Sequence, residues 1–315
     1  MKYAFVFPGQ GSQSVGMLAE LNKAYHPIVK QTFDEASELL GYDLWKLSQQ
    51  GPKDILNKTE KTQPALLAAG VAVWRIWQEK AAQKQPVLMA GHSFGEYTAL
   101  VCSGSLEFVD GIRLAEERGR LMQTAVPEGE GAMAAVLGLD NAKIIEICTL
   151  AAEDEVVSPV NFNAPGQVVI AGHTAAVKRA KEQAKAAGAR RAVLLSVSVP
   201  AHSILMQPAA EKMAERLADV TITTPTIPVI HNVDVESKTD PADIRAALIA
   251  QLYNPVRWVE TIDKMVAEGV TQLFESGPGK VLTGLNKRIA RNAQTKSIMD
   301  TKTLEQALQA LEAPT

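Results

Sequence analysis

Residues 86–102, PVLMAGHSFGEYTALVC, place a serine between two glycines where an apolar strand-like run meets an apolar helix-like run. Gly91 and Gly95 stand two positions before and after Ser93, which is the spacing of the G-x-S-x-G nucleophile elbow. Small residues are needed there because a sharp strand-to-helix turn must project the serine hydroxyl at the carboxyl edge of a sheet. The segment therefore predicts Ser93 as a nucleophile, and an ordinary strand-to-helix turn is the alternative.

Strand-like and helix-like runs alternate on both sides of this elbow. Upstream, the apolar run YAFVF (3–7) stops at Pro8-Gly9, and the apolar stretch from Pro64 to Trp77 predicts a buried helix opening at the proline. Downstream, IPVIHN (227–232) and VTQLFES (270–276) predict two further strands. Such alternation is typical of a largely parallel sheet with helices on both faces. We predict an α/β fold whose large subdomain is α/β-hydrolase-like.

A second pattern interrupts this alternation between residues 128 and 198. Its strand-like runs are GAMAAVLG, VVSPVNF, QVVIAG and AVLLSVS, and its helical runs are AKIIEICTLAAE and AAVKRAKEQAKAAG. The resulting order βαββαβ is the signature of a ferredoxin-like unit, for which about seventy residues suffice. We therefore predict a ferredoxin-like small subdomain at 128–198, inserted into a discontinuous catalytic subdomain formed by 1–127 and 199–315.

Composition and charge exclude several functional classes. The 315 residues are 46% hydrophobic and carry a formal net charge of −3 with a pI near 6.0, so nothing attracts the whole chain to nucleic acid or to an anionic membrane. The first residues lack the pattern of a secretion signal and no apolar run is long enough to span a bilayer, so we expect a cytoplasmic protein. Cys102 and Cys148 give neither a disulfide framework nor a zinc site, and no residue cluster has metal-ligand spacing.

A serine hydroxyl needs a base to remove its proton, and the histidines are the candidates. The chain has five of them, His26, His92, His173, His202 and His231. His92 adjoins Ser93 in a tight turn, His26 lies in the N-terminal helical region, and His173 caps a strand of the inserted subdomain. His202 and His231 therefore remain, and both follow an apolar strand. His202 in VPAHS is modestly favoured, since Pro200 holds its loop where the chain re-enters the large subdomain. For either histidine, a side chain that only satisfies its own hydrogen bonds at a strand end is the alternative.

Two glycine-rich loops do not match nucleotide-binding motifs. In GQGSQ (9–13) the third glycine of a dinucleotide fingerprint is replaced by Ser14, and GPGK (277–280) lacks the earlier glycine of a phosphate-binding loop. An oxyanion hole requires two N–H donors from separate segments. The Gly9–Gly11 loop can supply one donor at the sheet edge where Phe94 supplies the other. A plain tight turn is the alternative for this loop.

The motifs together resemble those of the malonyl-CoA:acyl carrier protein transacylases of bacterial fatty acid synthesis. The similarity covers nearly the whole chain, with the motifs in the family's order and spacing. They are FVFPGQGSQ, TQPALL, GHSFGEYTAL, ERGRLM, NFNAPGQVVIAG, VPAHS, QLYNPVRW and GPGKVLTGLNKRI.

The resemblance implies roles for the catalytic residues. Ser93 would carry the acyl group and His202 would be its base. The backbone carbonyl of Gln251 would orient His202, in place of the aspartate of a standard hydrolase triad. The N–H groups of Gln10 and Phe94 would form the oxyanion hole. Phe94 is bulkier than the leucine more usual in the family.

The resemblance also implies residues that bind the substrate. Arg118, which by sequence alone passes for one more solvated helix charge, would bind the free carboxylate of the malonyl group. Asn163 and Gln167 would line the pocket. Ala201 and Ser203 flank the base where relatives often carry serine and cysteine, which puts the shape of the pocket in doubt and leaves the reaction unchanged.

The implied reaction is ping-pong, with malonyl-CoA as substrate and the phosphopantetheine thiol of acyl carrier protein as acceptor, and we expect no metal or bound cofactor. Because acyl carrier proteins are acidic, local basic patches are the expected docking site. Two basic pairs are candidates, with ordinary solvated charge as the alternative: Arg190 with Arg191, and Lys287 with Arg288. A serine hydrolase, and an idle acyltransferase-shaped module that only binds carrier protein, are the rival functions.

Overall fold

The computed structural model describes residues 2–81, 83–197 and 199–312. In chain order the elements are β1 (Lys2–Phe7), α1 (Ala19–Ala24), α2 (His26–Leu40), α3 (Leu44–Gln50), α4 (Lys53–Leu56), α5 (Thr59–Ala81), β2 (Leu88–Gly91), α6 (Gly95–Cys102), α7 (Phe108–Thr124), β3 (Gly131–Leu137), α8 (Asn141–Ala152), β4 (Val157–Ala164), β5 (Gln167–His173), α9 (Thr174–Ala186), β6 (Arg191–Leu194), a 3-10 turn (Ile204–Met206), α10 (Gln207–Ala218), β7 (Val229–Ile230), α11 (Pro241–Gln251), α12 (Trp258–Ala267), β8 (Val270–Ser276), α13 (Val281–Ile289), β9 (Gln294–Ile298) and α14 (Thr301–Glu312).

Five of the strands form a parallel sheet in the order β7-β2-β1-β8-β9. The central strand β1 aligns Ala4 with Leu88 of β2 and Phe5 with Phe274 of β8. Every residue of β1 after Lys2 is buried, as expected for a parallel sheet covered on both faces. The predicted α/β fold with a parallel sheet is confirmed.

The long helix α5 packs against this sheet in the middle of the large core. The ring of Trp77 lies 5.0 Å from that of Phe5 and 5.2 Å from that of Phe274, measured between centroids. The prediction that this helix opens at Pro64 is wrong, because α5 begins at Thr59. The first turn, TEKTQ, is polar in sequence and carries no apolar periodicity that would have revealed it.

Four further strands form a separate antiparallel sheet in the order β4-β5-β3-β6. Helices α8 and α9 cover it and enclose a second apolar core that includes Ile144, Ile170 and Val177. The element order βαββαβ and this strand order are those of the predicted ferredoxin-like unit. The subdomain limits at 127/128 and 198/199 stay a prediction, and Ser198 lies outside the described residues.

The carboxyl ends of neighbouring parallel strands deliver the loops around Ser93. Strand β2 ends at Gly91, directly before the elbow, and its neighbours β1 and β7 end at Phe7 and Ile230. This edge is where open α/β sheets bind their ligands. None of the helices in the described ranges is long and apolar enough to cross a membrane.

The antiparallel sheet is tied to the large subdomain close to this edge. The backbone N–H of Phe162 in β4 donates to the oxygen of Val256 at 3.0 Å, and the N–H of Val256 donates to the oxygen of Val160 at 2.8 Å. The segment between α11 and α12 therefore pairs with β4 in a short parallel bridge. This bridge fixes one wall of the cavity that opens beside Ser93.

Candidate active site

Ser93 occupies the strained turn that its motif predicts. Its φ angle is 52°, in the left-handed region that a non-glycine residue seldom adopts. A Cβ atom on Gly91 would lie 1.8 Å from the carbonyl carbon of Gly95, so the turn closes only with glycine. The backbone N–H of Ser93 donates to the side-chain oxygen of Asn232 at 2.8 Å. The elbow is therefore held from outside as well as by its own sequence.

The serine hydroxyl contacts His202. Ser93 Oγ lies 2.7 Å from His202 Nε2, and His202 Nδ1 lies 2.8 Å from the backbone oxygen of Gln251. Because a carbonyl oxygen only accepts hydrogen bonds, Nδ1 carries the proton and Nε2 is free to accept from the hydroxyl. His231 instead contacts the carboxylate of Glu96 at 2.7 Å. The geometry thus separates the two histidines that the sequence left open.

The imidazole of His202 is held neutral. Its side chain is buried, and burial together with the nearby Arg118 cation lowers its pKa to about 3, although the hydrogen bond to Gln251 opposes the shift. A neutral imidazole at physiological pH is the form that accepts a proton. His202 therefore has the geometry of a general base, and it is unprotonated at neutral pH.

Arg118 is a buried cation beside this pair. The residue is 1% exposed, and its guanidinium donates to the side-chain oxygens of Gln63 at 3.1 Å and Gln251 at 2.9 Å. Its Nε has no hydrogen-bond partner, and in the described ranges no carboxylate lies within ion-pair distance of it. Burial lowers its pKa below the ordinary arginine value, but arginine stays charged in proteins. The site thus holds a desolvated positive charge with donor capacity to spare.

The two segments expected to form the oxyanion hole lie side by side. A Cβ atom on Gly9 would approach the backbone oxygen of His92 to 2.5 Å, so the loop after β1 touches the elbow through a glycine. Gln10 and Phe94 both line the cavity. Across the described chain, neither backbone N–H donates to another residue. Both N–H groups are therefore available to an oxyanion.

The cavity has a volume of about 230 Å³. It brings Ser93, His202 and Arg118 together behind walls that are mainly apolar, formed by Met122, Met133, Val169, Leu195, Val197, Val199, Ala201, Leu282 and Leu285. Asn163 also lines it and accepts a 2.7 Å hydrogen bond from His92 Nε2. Gln167 does not: it begins β5, where its side-chain oxygen accepts from Arg288. The expectation that Gln167 lines the pocket is corrected on this geometry.

The family model of the acyl transferase domain matches residues 4–302 of the chain. The malonyl CoA-acyl carrier protein transacylase of Salmonella typhimurium is 59% identical over 98% of this chain and 99% of its own. That of Haemophilus influenzae is 61% identical over 95% and 96%, respectively. The chain belongs to this acyl transferase family. A solved malonyl-transacylase, in complex with a type II PKS acyl-carrier protein, superimposes with a TM-score of 0.97 at 57% identity, covering 98% of this chain and 100% of that one.

Three functional contacts of this acyl transferase escaped the sequence analysis. Gln63 accepts a hydrogen bond from Arg118, and Asn232 accepts one from the backbone N–H of the elbow serine. Glu96 accepts a hydrogen bond from the side chain of Gln251. Glu96 is a carboxylate inside the otherwise apolar helix EYTALVC, which was a usable signal because buried acids are rare unless paired. Gln63 ends the polar stretch TEKTQ and Asn232 ends the strand-like run IPVIHN, and an amide at either position carries no comparable signal.

The basic residues of the transferase that were expected to dock a carrier protein lie on its surface. Arg190 and Arg288 line one groove together with Arg291, which no sequence motif indicates, and with one acid, Asp140. The groove lies about one helical turn beyond Leu285 of the cavity wall, along α13. The exposed residues Arg191 and Lys287 do not line this groove. In the described portion of the chain, no group of three or more acidic, histidine or cysteine side chains is arranged so that it could hold a metal ion.

Proposed function

We propose that this protein transfers a malonyl group from malonyl-CoA to the phosphopantetheine thiol of acyl carrier protein, in fatty acid biosynthesis. The observation that supports this best is the 2.7 Å contact between Ser93 Oγ and His202 Nε2 in one cavity with Arg118, a buried cation that forms no direct ion pair in the described chain. The contact provides an activated nucleophile, and the guanidinium provides a partner for a carboxylate. Relatives named malonyl CoA-acyl carrier protein transacylase agree with this combination.

The first half of the reaction loads the enzyme. His202 Nε2 takes the hydroxyl proton while Ser93 Oγ attacks the thioester carbonyl carbon of malonyl-CoA. The resulting oxyanion accepts hydrogen bonds from the N–H groups of Gln10 and Phe94. The carbon–sulfur bond then breaks, and the coenzyme A sulfur leaves with the proton that His202 returns. A malonyl ester on Ser93 remains.

The second half reverses these steps with a different thiol. The phosphopantetheine sulfur of the carrier protein gives its proton to His202 and attacks the ester carbonyl. The same two N–H donors stabilise the second oxyanion, and the bond from the carbonyl carbon to Ser93 Oγ breaks. His202 then protonates Ser93, which restores the free enzyme. Gln251 keeps His202 in the required tautomer throughout, since its backbone oxygen accepts from Nδ1.

Arg118 supplies the selectivity for malonyl groups in this scheme. A guanidinium can meet a carboxylate with two parallel hydrogen bonds. Arg118 has an unpartnered Nε and two amide contacts, and in the described chain it forms no direct ion pair, because the amide of Gln251 lies between it and Glu96. An acyl group that lacks a carboxylate would leave this buried charge unpaired, which is costly in a cavity with apolar walls.

Carrier protein would dock at the groove formed by Arg190, Arg288 and Arg291. Acidic carrier proteins complement a basic surface. Helix α13 contributes Arg288 to the groove and Leu285 to the cavity wall, so the two are close together. A relative of the same fold that was solved in complex with an acyl-carrier protein supports carrier-protein binding. Arg191 and Lys287, which are exposed and lie outside the groove, remain candidates for docking.

The rival functions have less support. A hydrolase needs water at the ester, whereas the walls of this cavity are mainly apolar. An idle carrier-binding module would not need a neutral base 2.7 Å from a serine hydroxyl. We further propose that the reaction requires no metal or resident cofactor and takes place in the cytoplasm. The free, buried thiols of Cys102 and Cys148 agree with a reducing compartment.

Intact-protein mass measurement tests the proposed function directly. The purified enzyme is mixed with malonyl-CoA alone, and then with holo acyl carrier protein added. We expect a single malonyl adduct that persists without acceptor and moves to the carrier protein when it is added. Rapid release of free malonate without acceptor would establish the hydrolase instead. An enzyme dialysed against a chelator should react at the same rate.

A further inference from the structure

Glu96 is a buried carboxylate to which the mechanism above gives no role. It lies in the first turn of α6, directly after the elbow, and is 0% exposed. Its two oxygens accept from His231 Nδ1 at 2.7 Å, from the backbone N–H of Asn232 at 2.9 Å and from the side-chain nitrogen of Gln251 at 2.9 Å. A buried charge is tolerated only with such compensation.

One of these partners clamps the elbow. Asn232 donates from its side chain to the backbone oxygen of Gly91 at 2.7 Å and accepts from the backbone N–H of Ser93 at 2.8 Å. These two bonds fix which way its amide faces, because nitrogen can only donate and oxygen can only accept. The backbone of Asn232 is in turn bonded to Glu96. The carboxylate is therefore linked to the strained turn through a single residue.

A second partner contacts the rest of the site. The side-chain nitrogen of Gln251 donates both to Glu96 and to the backbone oxygen of Ser93 at 3.0 Å. Its side-chain oxygen accepts from Arg118, and its backbone oxygen accepts from His202. The amide thus lies between a buried anion and a buried cation, and each charge favours the same orientation. Losing the anion would free the amide to turn.

An apolar side chain would fill this space at lower electrostatic cost. The acid instead lies next to a serine held at a φ of 52°, a conformation that persists only when its surroundings enforce it. Of its described hydrogen-bond partners, Asn232 and Gln251 also bond to the elbow, and His231 is the residue before Asn232. This placement distinguishes it from Glu275, the other fully buried acid, which caps α13 through the N–H groups of Leu282 and Thr283.

We infer that Glu96 is a positioning residue for acyl transfer. Acting through Asn232 and Gln251, it keeps the hydroxyl of Ser93 and the imidazole of His202 aligned and keeps the amide of Gln251 turned toward Arg118. The inference rests on the transfer reaction proposed above. It assigns Glu96 no contact with substrate.

Glu96→Gln preserves size and removes the charge, and it cannot accept all three hydrogen bonds. Rapid quenching with malonyl-CoA followed by mass measurement gives the rate constant of Ser93 malonylation at saturation and the concentration for half-saturation. We expect the rate constant to fall about tenfold or more, since small misplacements of reacting groups are costly, while half-saturation stays within about twofold. A rate constant equal to that of the unmodified enzyme would overturn the inference.

A stability control separates positioning from folding. Leu304→Ala empties a fully buried site on α14 and lowers stability, and Leu304 makes no contact with the Glu96 network. Its malonylation rate constant should match that of the unmodified enzyme although its melting temperature falls. An equal loss of rate in Leu304→Ala at an equal loss of melting temperature would assign Glu96 a structural role only.

A double-mutant cycle tests whether Glu96 acts through Gln251. Gln251→Met removes the amide and keeps the backbone oxygen that orients His202. We expect Glu96→Gln to slow malonylation much less in the Gln251→Met background than in the unmodified enzyme, because the two changes break one connection. Fully multiplicative losses contradict the inference. If Glu96→Gln does not fold, Gln251→Met alone should slow malonylation about tenfold or more, and an unchanged rate overturns the inference.

These outcomes are distinct from failure of the proposed function. If the unmodified enzyme forms no malonyl adduct, the transfer reaction itself is wrong. If it forms the adduct and the variants keep its rate, only the role of Glu96 is wrong.

Discussion

Arg118 donates a 2.9 Å hydrogen bond to the side-chain oxygen of Gln251, and the backbone oxygen of the same glutamine accepts from His202 at 2.8 Å. One residue therefore contacts both the group that we propose binds the malonyl carboxylate and the group that we propose acts as base. A change in the contacts of Arg118 reaches the base through a single residue, from the side chain of Gln251 to its backbone oxygen. Selectivity and rate are expected to be linked in this enzyme.

Arg118→Ala should reduce malonyl transfer and leave acetyl transfer equal or improved. Breaking a desolvated ion pair costs about 2 to 5 kcal/mol, which corresponds to roughly a thirtyfold to several-thousandfold loss in kcat/KM. Arg118→Lys should recover only part of the malonyl rate because an ammonium lacks the planar fork. Steady-state kinetics with malonyl-CoA and acetyl-CoA provide the comparison. Equal losses on both substrates would mean that Arg118 only supports the fold.

Ser93→Ala should abolish the malonyl adduct. The hydroxyl is the only group removed. The backbone N–H of residue 93 still donates to Asn232 and its backbone oxygen still accepts from Gln251, so the fold should persist. Mass measurement after incubation with malonyl-CoA detects the adduct, and circular dichroism checks the fold. A folded variant that still acquires a malonyl group would place the nucleophile elsewhere.

His202→Ala should lower malonylation by about 10³-fold or more, as removal of a nucleophile's base commonly does. His231→Ala is the matched histidine variant. It should keep most of the activity, since His231 contacts Glu96 and not Ser93. Its main effect should be a lower melting temperature, because shortening a buried side chain leaves a cavity. The opposite ranking of the two variants would identify His231 as the base.

The malonylation rate should be nearly constant between pH 5 and pH 8. The pKa of His202 is lowered to about 3 by burial and by Arg118, so the imidazole stays neutral and able to accept a proton across that range. Protonation should slow the reaction only as the pH approaches that value. Single-turnover measurements at saturating malonyl-CoA over this range provide the test. A decline centred near pH 6.5, the ordinary histidine value, would show that the imidazole titrates normally.

Charge reversal at the basic groove should weaken carrier-protein binding. Arg190→Glu combined with Arg291→Glu alters two exposed groove residues and spares Arg288, which holds the backbone oxygen of Pro165 at 2.7 Å. We expect a higher KM for acyl carrier protein and a weaker salt dependence, with malonyl loading from coenzyme A unchanged. Lys23→Glu, on the exposed helix α1, is the control. Unchanged carrier kinetics in the groove variant would move docking elsewhere.

The local part of the site could be predicted from sequence, and the long-range part could not. Ser93 is defined by glycines two positions away, so its turn was readable from a few residues. Its contact with His202 joins positions separated by 109 residues, and spacing alone favours His202 over His231 only modestly. Arg118 was indistinguishable from a surface charge until the resemblance was considered, because its burial depends on how α7 packs against α5.

The misses have equally specific causes. The first turn of α5 is polar, so the helix was expected to begin at Pro64 instead of Thr59. Gln167 was placed in the pocket by the NFNAPGQ motif, but β5 starts at that residue and directs it to Arg288. Glu96 was passed over as one residue of an apolar helix. For Gln167 and Glu96, the side-chain partners lie far away in the sequence, at Arg288 and Gln251.

The acceptor that orients His202 belongs to the main chain of Gln251. A substitution removes the carboxylate of a catalytic aspartate, whereas every residue type keeps its backbone carbonyl oxygen. Random mutation at position 251 should therefore rarely uncouple the base outright, and it should act first on the side chain that contacts Arg118. Directed evolution at this position is accordingly expected to yield variants with altered acyl preference more often than inactive ones, which makes it a favourable starting point for changing the substrate of this enzyme.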